Sequence, residues 1–161
     1  MSTEINVGIG EIKVARNSLL LTARGLGSCV GVAMYDPLLK LGGMAHILLP
    51  EGTEQDRNGN PYKYANWAIP ELIELLRRES GNPQRFCVKL AGGARMFSFS
   101  TSNPDGDIGS QNIKHTVRLL QELGLKVSAQ DTGGNKGRTV SLDTTTGTLM
   151  VRVLGQGAVE I

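Results

Sequence analysis

Apolar and polar positions alternate with a period of two over Ile5-Val7-Ile9 and again over Ile12-Val14, which predicts two half-buried strands. Leu19-Leu20-Leu21-Thr22 is a continuous apolar run and suits a strand covered on both faces. Val30 to Tyr35 predicts another strand, ended by the Asp36-Pro37 turn signal, and Met44 to Leu49 a further one, closed by Pro50. Residues 51–62 are polar and carry two glycines and a proline, the composition of a mobile surface loop. The period then changes. Trp67, Leu72, Leu75 and Leu76 form an apolar stripe that predicts a helix from Tyr64 to Ser80, with Arg77-Arg78 suiting its C-terminal dipole. Pro70 deletes one helical hydrogen bond and is expected to kink or restart that helix. Phe86 to Leu90 predicts a buried strand. Ser110 to Leu123 predicts a second helix, with Ile113, Val117 and Leu120 on one face and Gly124 as its C′ residue. Lys126 to Ala129, Arg138 to Leu142 and Leu149 to Val153 read as three more strands, the last two joined by a Thr-Thr-Thr-Gly turn region. Strands far outnumber helices and do not alternate with them, which favours an α+β fold of strand-rich sheets layered with two long helices.

Composition narrows this to one domain spanning 1–161. A chain of 161 residues can bury a substantial core, and its 17 basic and 15 acidic residues leave a net charge of +2. No strong field points to nucleic acid or to an anionic membrane. No apolar run approaches the roughly 20 residues of a membrane span, so no membrane insertion is expected. Met1-Ser2-Thr3-Glu4 is not the basic-then-apolar start of a signal peptide. Two cysteines in that context read as reduced thiols in a cytoplasm.

The chemistry concentrates in Gly25-Leu26-Gly27-Ser28-Cys29-Val30-Gly31 and in Gly42-Gly43-Met44-Ala45-His46-Ile47-Leu48-Leu49-Pro50. Cys29 ends a glycine-rich turn, where small residues let a substrate carbonyl approach the backbone. A thiol beside an imidazole is an activated nucleophile, because imidazolium stabilises thiolate. The thiol pKa is therefore expected below its free value. The bland reading of each is a buried structural cysteine and a satisfied core histidine. Cys87, in Phe86-Cys87-Val88-Lys89-Leu90, has no glycine approach and reads as core; His115 lies off the apolar stripe of its helix and reads as solvated. Gly25-x-Gly27-x-x-x-Gly31 misses the dinucleotide fingerprint spacing and leads into a strand, and two cysteines with two histidines offer no metal cluster. No cofactor is called for. Arg138 reads as a substrate or partner contact or, in the bland reading, as a solvated strand-edge residue.

These residues resemble the bacterial chemoreceptor glutamine deamidase family CheD. The resemblance runs through GLGSCVG, GGMAHILLP, Lys63-Tyr64-Ala65, Ala91-Gly92-Gly93-Ala94 with Met96-Phe97, Ile108-Gly109 with Asn112, and Asp131-Thr132-Gly133-Gly134-Asn135 with Gly137-Arg138. It implies a CheD-like cysteine deamidase fold, similar to the catalytic domain of cytotoxic necrotising factor. The implied activity is that of a protein-glutamine glutaminase, which hydrolyses glutamine side chains of methyl-accepting chemotaxis receptors to glutamate and ammonia through a Cys29–His46 thioester mechanism. Backbone N–H groups around Gly27, Ser28 and Cys29 would hold the oxyanion. The implied partners are the cytoplasmic helices of the receptors and a CheC-type phosphatase. The chain departs from the family where a threonine normally precedes the cysteine: Ala23 stands there, with Thr22 one residue earlier. Adjacent strand residues face opposite ways, so Thr22 serves only if a bulge shifts the register. The preferred expectation is that the Ala23 carbonyl accepts the His46 N–H.

Two other classes stay open at this point. One is a non-catalytic chemotaxis adaptor that binds receptors or the phosphatase. The other is a different cysteine amidohydrolase or a transglutaminase-like acyl transferase using the same pair.

Overall fold

The computed structural model describes residues 3–96 and 107–161; Phe97 of the motif above lies outside the described residues. Among the described residues ten strands form two five-stranded sheets. The first holds β1 (Glu4–Asn6), β3 (Leu20–Leu26), β8 (Arg138–Asp143), β9 (Leu149–Val153) and β10 (Gly157–Glu160), in the order β1-β3-β8-β9-β10. The second holds β2 (Ile12–Arg16), β5 (Leu41–Ile47), β4 (Val30–Asp36), β6 (Cys87–Gly92) and β7 (Val127–Thr132), in the order β2-β5-β4-β6-β7. Two helices, α1 (Ala65–Arg78) and α2 (Ile108–Glu122), pack on the second sheet. The layers therefore run sheet, sheet, helices, the α+β arrangement that the strand-rich pattern predicts.

The two cores follow from the period-2 geometry of β4 and β5. Val30, Val32 and Met34 face the helices and share a core with Ala45, Ile47, Ile69, Leu72 and Leu120. The alternate residues Cys29 and Ala33 share the core between the sheets with Met44, Ala91, Ala23 and Val140. Both faces of these strands are covered, which explains why β4 and β5 are buried throughout. Gly42-Gly43 makes this possible in β5. A Cβ on Gly42 would stand 2.9 Å from Leu142 of the first sheet, and one on Gly43 would stand 2.6 Å from Leu72 of α1.

Several elements differ from expectation for identifiable reasons. β1 ends at Asn6, and Ile9 falls in a turn with Gly10 (φ +75) instead of continuing the strand. β5 ends at Ile47; Leu48 and Leu49 leave the ladder to bond the carbonyl of Lys63. Segment 51–62 contains two short 3-10 turns, Glu54–Asn58 and Pro61–Lys63. Asn66 ties this segment to α1 by exchanging two hydrogen bonds with Gly52, and Arg57 stacks 4.5 Å over Trp67. Helix α1 is one helix through Pro70, which sits only one turn inside it and faces solvent, so a single helical bond to Asn66 is lost. Helix α2 starts at Ile108, where the Asp107 carboxylate accepts the Ser110 N–H at 3.0 Å. Its buried face is Gly109, Asn112, Thr116 and Leu120, one step round from the predicted stripe. It closes with Gly124 at φ +76 and Leu125 N–H bonded to the Leu120 carbonyl, a Schellman ending. Strand β10 had no signal in the sequence: all four of its residues are exposed, so no alternation marks it.

Candidate active site

The end of β3 builds the cysteine turn. Its register with β8 shifts between Ala23 and Leu26, and Gly25 adopts φ +68. The chain then bends through Gly27-Ser28 and presents Cys29 immediately before β4. Three consecutive carbonyls of this turn are held from behind. Ala94 N–H donates to Gly27 (2.8 Å), Gly93 N–H donates to Cys29 (2.8 Å), and the Asn112 side-chain amide donates to Ser28 (2.9 Å). Gly92 permits the approach: at φ +109, a Cβ there would lie 2.2 Å from the Cys29 oxygen.

Planar trans peptides turn these anchors into chemistry. A carbonyl and the N–H of the next residue point in opposite directions, and no peptide bond among the described residues is cis. Holding the Gly27 and Ser28 carbonyls therefore aims the N–H groups of Ser28 and Cys29 the other way. Among the described residues neither has a backbone acceptor, and the Cys29 N–H turns toward its own Sγ. The Gly27 N–H, included in the expected oxyanion group, is already donated to Gly25 at 3.0 Å; Gly27 shapes the turn but gives no free donor. In front of the turn lies a cleft of about 380 Å³, walled by Gly27, Ser28, Cys29, Ala94-Arg95-Met96 and the start of α2.

His46 approaches from β5. It pairs with Gly31 in the β4–β5 register. Cys29, two residues before Gly31, is thus the diagonal neighbour of His46 on the face turned toward the first sheet. Diagonal neighbours lie within reach of long side chains, and Gly31 puts no side chain between them. The ring is 1% exposed, and its Nδ1 lies 2.9 Å from the Val7 carbonyl. The same segment clasps the His46 backbone: Gly10 N–H donates to its carbonyl and its N–H donates to Glu11. A carbonyl only accepts, so Nδ1 carries the proton and Nε2 keeps its lone pair. Nε2 is buried without a hydrogen-bond partner among the described residues. No hydrogen bond joins it to Cys29 Sγ.

The resting pair is neutral. Burial pushes the Cys29 thiol above its ordinary value, outweighing the help of its own N–H. Burial likewise lowers the His46 imidazole, more than the Val7 carbonyl and Glu11 raise it. The expectation of a thiol pKa below the free value is overturned, because burial raises the thiol by more than its own backbone N–H lowers it.

Other expected positions are corrected as well. The Ala23 carbonyl does not orient His46. Thr22 O accepts from Val7 N–H on one edge of β3, so the next carbonyl, that of Ala23, points to the opposite edge, toward β8. Thr22 does not replace it, since its hydroxyl pairs with Ser141 at 2.7 Å and the register shift lies beyond it, after Ala23. The Ala23 side chain is in the inter-sheet core, on the face that Cys29 shares. Cys87 is partly exposed, with Ser128 Oγ 3.6 Å from its Sγ, because it begins β6 at the sheet's rim. Arg138 is 8% exposed; it pairs with Asp131 at 3.0 Å and reaches the Gly92 carbonyl at 3.4 Å. His115 is half-buried and lines a different groove with Pro50 and Asn66. Val7 and Asn112 were missed as site residues. Val7 acts through its backbone and leaves no side-chain signal, whereas Asn112 is a polar residue on a buried helix face, which is a signal. Among the described residues no three metal-ligating side chains converge, and no helix is long and apolar enough to cross a membrane.

The family model described as CheD chemotactic sensory transduction matches residues 48–153. A protein named probable chemoreceptor glutamine deamidase CheD from Clostridium novyi (strain NT) is 42% identical over 154 residues, covering 96% of this chain and 95% of that one. Its namesake from Clostridium botulinum (strain Eklund 17B / Type B) is 41% identical over 160 residues, 99% of each chain. That of Caldanaerobacter subterraneus subsp. tengcongensis is 42% identical over 153 residues, 95% of this chain and 94% of the other. Among solved structures, the Bacillus licheniformis hypothetical protein YfiH aligns at 16% identity with a TM-score of 0.48, over 75% of this chain and 49% of that one, a likeness too low to argue from. With relatives at this identity over nearly all of its length, the chain belongs to the CheD family.

Proposed function

We propose that the protein deamidates glutamine side chains of methyl-accepting chemotaxis receptors, with Cys29 as nucleophile and His46 as general base and acid. The observation that carries the reading is the juxtaposition of a cleft-lining Cys29 with a buried, unpartnered His46 Nε2 on one sheet face. Nε2 takes the thiol proton as Sγ attacks the glutamine Cδ. The oxyanion that forms accepts from the N–H groups of Ser28 and Cys29. The protonated ring passes its proton to the leaving nitrogen, the C–N bond breaks, and ammonia departs, leaving a thioester. Water then adds to the thioester, giving its proton to Nε2, and the C–S bond breaks to release glutamate and the thiol. No cofactor enters. The reaction class is that of a protein-glutamine glutaminase working in the cytoplasm, on a fold akin to the catalytic domain of cytotoxic necrotising factor. The receptor gains a negative charge at each converted position.

The resting geometry supports a second reading. A neutral thiol with no hydrogen bond to His46 is what an adaptor retaining only the binding role, toward receptors or a CheC-type phosphatase, would also present. Mass spectrometry of a receptor signalling domain before and after incubation separates the two. Conversion of specific glutamines with ammonia release is expected from wild type and from Cys87→Ser, and none from Cys29→Ser or His46→Ala. A folded Cys87→Ser protein as inactive as Cys29→Ser overturns the assignment, and no conversion by wild type leaves the adaptor.

A further inference from the structure

We infer that Asn112 is a positioning residue that holds the cysteine turn and the histidine strand in one fixed relation. This rests on reading Cys29 and His46 as the reacting pair. Asn112 is 0% exposed on the inner face of α2. The two hydrogens of its Nδ2 go to two carbonyls, Ser28 at 2.9 Å and Leu48 at 3.0 Å. One immediately precedes Cys29 and the other follows His46 by two residues. Neither carbonyl belongs to a strand. Ser28 lies in the turn, and Leu48 has left β5, its own N–H going to Lys63. A single planar amide thus spans the two segments at the level where the reacting side chains leave them.

The direction of these bonds matters more than their number. The Ser28 carbonyl is the back of the peptide plane whose front is the Cys29 N–H. Fixing it sets where that donor points, and with it the thiol that the donor faces. The Leu48 bond fixes the strand end beyond His46 against the same amide. Asn112 satisfies two main-chain carbonyls and carries a cost of its own. Its Oδ1 is buried with no partner among the described residues, as is the Thr116 hydroxyl one turn later. An unpaired buried acceptor costs free energy that an apolar residue of equal size avoids. The same position also spends its two donors entirely on the site's main chain.

The test is Asn112→Leu, which keeps the volume and removes both bonds. Loss of alignment in a reacting pair is expected to lower kcat for receptor deamidation by at least about 10-fold while KM stays within about twofold. A second readout needs no receptor: iodoacetamide labelling of Cys29, resolved by mass spectrometry, in a double-mutant cycle with His46→Gln. In the wild-type background His46→Gln slows labelling; in the Asn112→Leu background it is expected to make no further difference. If Asn112→Leu lowers thermal stability alone, with kcat well below the unfolding temperature unchanged and the His46 dependence of labelling intact, the residue is merely structural and the proposal is wrong. If His46→Gln has no effect on labelling even in the wild-type background, the failure lies with the Cys29–His46 reading instead. Should Asn112→Leu not fold, Asn112→Ser, whose hydroxyl reaches at most one carbonyl, is read by the same cycle with the same two outcomes.

Discussion

At the scale of single residues, the proposed site brings two neutral groups together. A base that is to take a proton from a thiol must be unprotonated when substrate arrives, and burial of His46 ensures this by disfavouring imidazolium. The Val7 carbonyl then selects which nitrogen is free. Because that carbonyl belongs to the main chain, the orienting contact itself uses no threonine hydroxyl. Thr22 supplies the check. Its hydroxyl bonds Ser141 on β8 and faces away from the ring. Thr22→Val is expected to leave kcat within about twofold and to reduce stability by about 1 kcal/mol, the usual worth of one hydrogen bond. Denaturant unfolding and the deamidation assay measure the two effects. A tenfold loss of turnover in a fully folded variant means that Thr22 does act on His46.

Among the elements, the end of β6 holds the turn that carries Cys29, the proposed nucleophile. Gly92 and Gly93 adopt φ +109 and +67, and their backbone meets the Cys29 carbonyl directly. A methyl group at Gly92 would collide with that oxygen, which the Gly93 N–H holds in place, and would crowd Val30 Cα in the β4–β6 ladder. Gly92→Ala is therefore expected to cost about 2 kcal/mol or more and to cut deamidation at least about 10-fold, since strand and turn must separate. Gly124→Ala is the control, having a similar positive φ but open space around it. It is expected to lose about 1 kcal/mol with activity unchanged. Equal activity in the two variants sinks the idea that this approach positions Cys29. The same elements explain what could be read in advance. Strands β4 and β5 and helix α1 were legible because burial on both faces, or along one stripe, leaves a periodic trace. Strand β10 and the turns of 51–62 were not, being held by backbone pairing and by single polar contacts. The cysteine and histidine were legible as rare reactive types beside glycines. Their neutral state was not, because desolvation depends on how two sheets close over them.

For the whole molecule, placing both titratable groups between two sheets makes stability itself report on the site. His46 has a lowered pKa in the fold. Between that value and the unfolded value near 6.5 the unfolded chain binds the extra proton, so stability falls as pH drops below about 6.5. Cys29 has a raised pKa in the fold. Above the unfolded value near 8.5 the unfolded chain releases a proton that the fold retains, so stability also falls as pH rises past about 8.5. Each unit of displacement is worth about 1.4 kcal/mol. The buried Asp36 carboxylate does not mimic the acid limb. Burial works against the Asp36 carboxylate, but Arg85 at 2.7 Å and the Asn82 N–H outweigh it and hold its pKa below the usual range, so its contribution is lost only as pH falls past about 3.9. Chemical denaturation from pH 5 to 10 (a range of roughly five units spanning both side chains' ordinary values) should therefore give a plateau between the two limbs. His46→Gln should remove the fall below 6.5 (about the unfolded histidine value) and leave the alkaline limb, while Cys29→Ser should do the reverse. If His46→Gln keeps the acid limb, His46 is not desolvated between the sheets, and a general base held neutral by burial no longer describes this site.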